Sequence, residues 1–364
     1  MRQKTLAEIV RDEIVARSGA MPFVRFMELA LYCPNLGYYE TKRDTVGRRG
    51  DFYTSVSVGK TFGELLAFQF AEWLEEIHPP GSRRQLCEAG AHDGQLARDI
   101  LTWLRSHRPD LFEQLEYSIL EPSAHRREWQ RDTLECFAGK IRWLARFDAS
   151  TSASVTGIIF SNELLDAFPV RRLGWDAHRK KWFEWAVAVE DKRFVWTKME
   201  VADKDLPLAG LHSSLLEVLP DNFTTEINPM AAAWWGNAAT ALARGKLMTI
   251  DYGLETEEFF VPSRPNGTLR GFYRHRYAGD ALANVGEQDL TAHVNFTEIR
   301  RAGENAGLTT DGYWTQSKFL TGILEKTLKD KRFGEWTSER GRQFQTLTHP
   351  EHLGRAFRTL VQAR

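Results

Sequence analysis

After Pro79-Pro80-Gly81 the chain settles into an alternation that leaves few folds open: short apolar runs of strand length, set apart by helical patterns. Gln85 to Ala89, Tyr117 to Leu120, Ile141 to Ala145, Gly157 to Phe160 and Lys246 to Ile250 read as strands, with helical patterns after the first two. Runs of this kind indicate a parallel sheet covered on both faces. The most informative stretch is Leu86-Cys87-Glu88-Ala89-Gly90-Ala91-His92-Asp93-Gly94-Gln95-Leu96. It predicts a buried strand ending in an acid, a glycine-containing turn, and an amphipathic helix with Leu96, Ile100, Trp103 and Leu104 on its apolar face. Glycines let a backbone approach a ligand and a helix N-terminus offers unpaired N–H groups, so the unit can cradle a nucleoside. It lacks the third glycine of G-x-G-x-x-G, and His92 stands where a middle glycine would be. By itself the turn marks a fold.

With 364 residues, 42% of them hydrophobic, the chain can bury one large core plus an appendage, or two domains. Its 48 basic and 49 acidic side chains leave a formal charge of -1, which gives no global attraction for nucleic acid or an anionic membrane. Cys33, Cys87 and Cys136 are scattered and form no C-x-x-C pair, which argues against a disulfide framework or a zinc site and fits a reducing compartment. No run approaches membrane-spanning length and no apolar leader opens the chain. A soluble cytoplasmic protein is expected, with no metal.

Thr5-Leu6-Ala7-Glu8 predicts a capping box for a first helix, and Pro22 a first helical position for a second. Leu36 to Ser57 is a polar, glycine-punctuated loop with aromatics, of the kind on which binding groups concentrate. Thr61-Phe62-Gly63-Glu64 predicts a capping box for a largely buried helix running to Ile77. Trp182 to Val189 and Phe194 to Trp196, joined by Glu190-Asp191-Lys192-Arg193, predict an inserted antiparallel hairpin. Gln343 to Thr346 is a candidate closing strand.

Ligands of open parallel sheets bind at the carboxyl ends of the strands. Glu121, ending the second strand, is placed to accept bonds from ribose hydroxyls, and Asp148, after the third, to face an adenine amino group. Asn162 and Glu163 end the fourth strand, with Asp166 one helical turn on; they would supply acceptors for a cationic substrate, or equally cap a helix. Val58-Gly59-Lys60-Thr61 is not a P-loop, because Thr54 stands where that motif needs glycine.

The blocks Gly37-Tyr38-Tyr39, Gly50-Asp51-Phe52-Tyr53-Thr54-Ser55, Ser161-Asn162-Glu163-Leu164-Leu165-Asp166-Ala167-Phe168-Pro169-Val170, Ile250-Asp251-Tyr252-Gly253, Gly267-Thr268-Leu269-Arg270-Gly271 and Asp289-Leu290-Thr291-Ala292-His293-Val294 are together similar to the MidA-like S-adenosylmethionine-dependent methyltransferases. That family includes the mitochondrial assembly factor that modifies an arginine on a respiratory complex I subunit. The resemblance implies an α/β fold, a Rossmann-like class I methyltransferase sheet with an N-terminal helical region and an inserted antiparallel subdomain. The expected divisions are a helical cap and substrate loop over 1–80, the first part of the core over 81–170, a β-rich insert over 171–225, and the rest of the core with C-terminal helices over 226–364. S-adenosylmethionine is the implied cofactor, held by Glu88, Gly90, His92, Gly94, Glu121, Pro122, Asp148, Phe52 and Thr54. Asn162, Glu163, Asp166, Asp51 and Glu226 are the implied catalytic set, and a protein, most simply a complex I subunit, the implied substrate, with a homodimer left open. The chain departs from the family pattern at His92, at Val56-Ser57 and at Asn295. Two rivals therefore stay open: a scaffold of the same fold that binds the cofactor without catalysis, and a nicotinamide-dependent oxidoreductase.

Overall fold

The computed structural model describes residues 4–41, 54–77, 83–147, 154–201, 206, 213–274 and 276–364. Its chain divides into two compact units, each assembled from three segments: Met1–Lys42, Leu165–Ala232 and Leu254–Glu298 in one, and Arg43–Leu164, Ala233–Gly253 and Ile299–Arg364 in the other.

The second of these, the core unit, holds the sheet that the alternation predicts. Seven of its strands run in the order Thr309–Thr315, Phe357–Ala363, Leu242–Leu254, Val155–Asn162, Arg84–Ala89, Leu115–Leu120 and Ile141–Leu144. The last five are mutually parallel, and Phe357–Ala363 is antiparallel to both of its neighbours. This is the class I methyltransferase order, with one reversed strand near the edge. Burial explains the sequence pattern: Leu86, Tyr117, Ile119, Ile158, Phe160, Met248 and Ile250 are buried together with one face of each flanking helix. In Gln95–His107 that face is Leu96, Ile100, Trp103 and Leu104, as predicted.

Helix Thr61–Ile77 also packs into this core through Leu65, Leu66, Phe68, Phe70 and Leu74. Its predicted capping box does not form. The Thr61 N–H and hydroxyl both donate to Gln343 Oε1, at 3.1 and 2.6 Å, while Glu64 is drawn to Arg340, whose Nε lies 2.8 Å from its carboxylate. The partners come from helix Ser338–Thr348, which occupies the place of the predicted closing strand. Thr337 caps that helix, and Phe344 and Leu347 sit three apart on its apolar side. The closing strand is Phe357–Ala363 instead.

The other unit has two cores of its own and a five-stranded antiparallel sheet. Helix Leu6–Ala16 begins with the predicted box: the Glu8 N–H donates to Thr5 Oγ1 and the Thr5 N–H to Glu8 Oε2. Pro22 falls one residue outside its helix, Phe23–Tyr32, and ends a short strand, Ala20–Pro22, that pairs with Ala186–Ala188. The predicted hairpin is Lys181–Glu190 with Arg193–Glu200. Asp191 and Lys192 turn it with φ of 46° and 66°, the left-handed pair that a tight two-residue hairpin needs. Arg171–Asp176 and Thr224–Ile227 complete this sheet, and a separate three-stranded sheet joins Arg276–Ala278, Arg270–Tyr273 and Asp289–Thr291. Among the described residues no helix is long and apolar enough to cross a membrane.

Candidate active site

In the core unit the parallel strands deliver their ends to one edge. Ala89 pairs with Ser161 and Ile250 with Asn162, so the turn after the first strand, the Asn162–Glu163 end of the fourth and the Asp251 region of the fifth lie side by side. Gly90, with φ of 73°, lies under Leu164: a Cβ there would come 2.8 Å from Leu164 Cδ1. His92 follows at φ 47° and Gly94 at 90°. The histidine thus adopts the backbone conformation that glycine takes most easily, which is what its place in the motif implies.

Two buried acids flank this turn. Glu88 is 2% exposed and accepts a 2.6 Å bond from the Tyr117 hydroxyl. Burial pushes its carboxyl up to about 7, against the opposing pull of that bond. Glu121 is 1% exposed and accepts from the Ser123 N–H at 2.9 Å, from Gln130 Nε2 at 3.3 Å and from Arg126 at 3.0 Å. Gln130 Nε2 also donates to the His92 carbonyl at 3.0 Å, and Gln130 Oε1 accepts from Trp143 Nε1. One glutamine thereby ties the acid of the second strand to the turn of the first. Arg127 bonds the carbonyls of Glu121 and Pro122 and fixes that strand exit. A glycine turn at positive φ between two buried carboxylates fits a nucleoside-bearing cofactor.

The fourth strand does not run into a helix, so the capping alternative for Asn162 and the helical spacing to Asp166 both fall away; residues 163–170 are turns leading to strand Arg171–Asp176. Glu163 itself has φ of 51°, a left-handed conformation rare for a side-chain-bearing residue. It is pinned there. Its N–H donates to the Ile250 carbonyl at 2.9 Å, and the next N–H, of Leu164, to Asp251 Oδ2 at 3.1 Å. Asp251 is fully buried and also accepts from the Tyr252 N–H. Asn162 Nδ2 donates to Glu163 Oε1 at 3.0 Å, aligning the carboxylate with the strand end. Residues held in strained backbone by several partners are a mark of functional sites.

Asp166 belongs to the other unit, where it joins residues from three distant blocks. The Ala292 N–H donates to its carbonyl, and Tyr32 donates to the neighbouring Ala167 carbonyl at 2.9 Å. Tyr39 stacks on Tyr32 and donates to Asp289 Oδ1 at 2.8 Å. Burial, followed by the charges of Asp289, Tyr32 and Asp166, pushes the Tyr39 hydroxyl well above its ordinary value. Asp166 and Asp289 are 5% and 4% exposed, two carboxylates within the field of one phenol.

The remaining sequence candidates fall elsewhere. Glu226 is buried in the same unit, with the Thr268 N–H and hydroxyl at 2.6 and 3.0 Å and Arg172 Nε at 3.5 Å. Thr54 accepts from the Ser57 N–H and caps the short helix Ser55–Val58. Asp51, Phe52 and Asp148 lie outside the described residues. Asn295 accepts from the Thr256 hydroxyl and from the Thr297 and Glu298 N–H groups, so the position that departs from the family pattern caps the helix that follows it. Tyr39, Tyr117, Gln130, Asp251 and Asp289 were not singled out as site residues, although Tyr39, Asp251 and Asp289 stand inside the blocks that carry the resemblance. Among the described residues no group of His, Cys, Asp and Glu could hold a metal.

Comparison with known proteins gives the family of the chain. The mitochondrial protein arginine methyltransferase NDUFAF7 homolog of Drosophila melanogaster is 27% identical over 98% of this chain and 84% of that protein. The human protein of the same name is 26% identical over 94% and 80%. Both are mitochondrial, as are the mouse, zebrafish and frog counterparts, and this overturns the expectation of a cytoplasmic protein. Among solved structures, a COG1565 superfamily member from Burkholderia thailandensis bound to S-adenosyl-homocysteine is 32% identical, covers 99% of this chain and 92% of its own, and superposes with a TM-score of 0.84. A model of one family matches residues 65–314, more than half of the sequence. The chain belongs to that family, the S-adenosyl-L-methionine-dependent methyltransferases, and is an enzyme of that class.

Proposed function

We propose that this methyltransferase modifies an arginine side chain of a protein, and that the acceptor is a subunit of a respiratory complex under assembly. The observation that carries the reading is the strand end at Glu163: a carboxylate held by a left-handed backbone, aligned by Asn162 and anchored on Ile250 and Asp251. The arginine methyltransferase names of the relatives support it, and the complex I subunit comes from the family resemblance.

Bound S-adenosylmethionine supplies an electrophilic sulfonium methyl; Gly90, His92 and Gly94 would receive it along their backbone, with Glu88, Glu121 and Pro122 around the nucleoside. Guanidinium, with a pKa above about 12, is a poor nucleophile until it sheds a proton. Glu163 accepts an N–H of the substrate and orients the nitrogen for in-line attack. The Glu163 carboxylate would take the proton that the guanidinium nitrogen gives up as it accepts the methyl group. Within the other unit, Asp166, Asp289 and Tyr39 form a second group of acceptors, and Glu226 holds Arg172 and Thr268 in place.

The test is transfer of radiolabelled methyl from S-adenosylmethionine to a mitochondrial extract, followed by amino-acid analysis. Label should appear on arginine, and Glu163→Gln should slow it by roughly 100-fold or more while binding of S-adenosylhomocysteine is retained. Label on lysine, or no difference between Glu163→Gln and the parent, would overturn the assignment. Cofactor binding without any labelled protein would favour the scaffold.

A further inference from the structure

The unit that carries Asp166 also contains a cavity of about 420 Å³ that the reaction does not require. Its walls include Arg172, Arg264, Arg270, Trp196, Tyr277 and His293. No described lining residue is a carboxylate. Glu226 lies behind the wall, its side chain 1% exposed, and its charge is met by Arg172 and the two Thr268 donors. Three guanidiniums thus stand against one buried acid.

The three are held differently. Arg172 lies over Trp196 at 4.8 Å and donates to the Asn266 carbonyl at 3.0 Å, which fixes its plane. Arg264 donates to the Glu258 carbonyl, a neutral partner. Arg270 is exposed at the start of its strand. Among the described residues, neither Arg264 nor Arg270 has an ion-pair partner. Guanidinium is charged at every accessible pH, and its planar fork matches a carboxylate in two-pronged contact. A concave wall concentrates the field of such groups. The volume admits a side chain and a few backbone atoms, in the range of small-ligand pockets.

The same structure links this cavity to the paired acids. His293 lines it and donates its N–H to Thr268 Oγ1 at 3.1 Å; the residue before, Ala292, donates to the Asp166 carbonyl at 3.1 Å; and Asp289 opens the same segment. One short stretch therefore borders an acceptor-rich cluster suited to a guanidinium and an arginine-walled cavity suited to an anion.

We propose that this cavity receives an acidic side chain of the protein substrate, so that the preferred acceptor is an arginine with a glutamate or aspartate nearby in its sequence. The inference rests on the reading of a protein arginine as acceptor and adds the recognition of its neighbours.

Fluorescence anisotropy with two short labelled peptides tests it, one carrying an arginine flanked by glutamates and the other the same sequence with glutamines. The parent protein should bind the glutamate peptide roughly tenfold more tightly at low salt. Arg270→Glu should abolish or reverse that preference, and Arg264→Gln should reduce it. Inorganic phosphate at equal concentration should leave the peptide bound. Equal affinity for the two peptides, a preference unchanged in Arg270→Glu, or full displacement by phosphate would overturn the proposal. Radiolabelled methyl transfer to the same two peptides separates the two readings: glutamate preference with no label on arginine sinks the arginine assignment, and label on arginine with no glutamate preference sinks the cavity alone.

Discussion

The carboxyl of Glu88, buried against Tyr117, keeps its proton up to about pH 7, whereas in the unfolded chain it would lose it near 4.5. Folding therefore takes up a proton between those values. The stability this group allows is complete below about 4.5, falls as pH rises toward 7 and then levels off, by an amount of order 3 kcal/mol. Asp99, pushed up to about 6 by burial, acts with the same sign. Urea unfolding of Glu88→Gln across that window should show a shallower pH dependence than the parent; an unchanged slope would place the pH response elsewhere. His92 offers a second check. A side chain at φ 47° costs about 1 kcal/mol, so His92→Gly should raise the urea midpoint or leave it unmoved, without weakening the turn. The places of Glu88, Glu121 and Glu163 at the ends of parallel strands were legible, because each closes an apolar run. The bonds of Asp289, Asp251 and Gln130 were not, since each is tied to a partner dozens of residues away, Tyr39, Leu164 and His92 in turn.

Helix Thr61–Ile77 shows how an element can be read correctly and its fastening missed. The apolar circumference makes it a buried helix, but its first turn is satisfied by Gln343 from a helix far along the chain, not by Glu64. Gln343→Ala removes an acceptor from two donors and should cost about 1 kcal/mol, measured as a lower urea midpoint, with Glu64→Gln perturbing the Arg340 pair independently. The hairpin turn carries an opposite prediction. Asp191-Lys192 adopts left-handed conformations that Asn-Gly takes at less strain, so the double change should stabilise the unit by up to about 1 kcal/mol. The misplaced closing strand has a plain cause: Gln343 to Thr346 holds a single apolar residue, Phe344, too little to separate period two from helical spacing, and a cap at Thr337 decided for the helix.

At the scale of the whole molecule, the parallel core was legible because each of its five strands is a separate apolar run, and all but the edge strand Ile141–Leu144 are largely buried. The gathering of the N-terminal helices, the segment Leu165–Ala232 and Leu254–Glu298 into one unit was not, because the joins are long-range contacts between segments that look independent. The compartment was misjudged for a related reason: low cysteine use reports a reducing environment and does not say which one. Since the nucleoside fits the core unit, S-adenosylhomocysteine at about a hundred times its Kd should add about 2.7 kcal/mol to the unfolding free energy of that unit, read by calorimetry. The interior position of Phe357–Ala363 has a bearing on how the enzyme comes into being. As the chain emerges from the ribosome, the glycine turn and the first four parallel strands are made early. The carbonyl and carboxylate that bend Glu163 into its left-handed form, at Ile250 and Asp251, follow only much later, on a strand whose other edge stays unpaired until Phe357–Ala363 arrives. A nascent chain should thus gain a nucleoside cradle well before it gains a working reaction centre, and stalling translation between the two would yield a protein that holds the cofactor and transfers nothing.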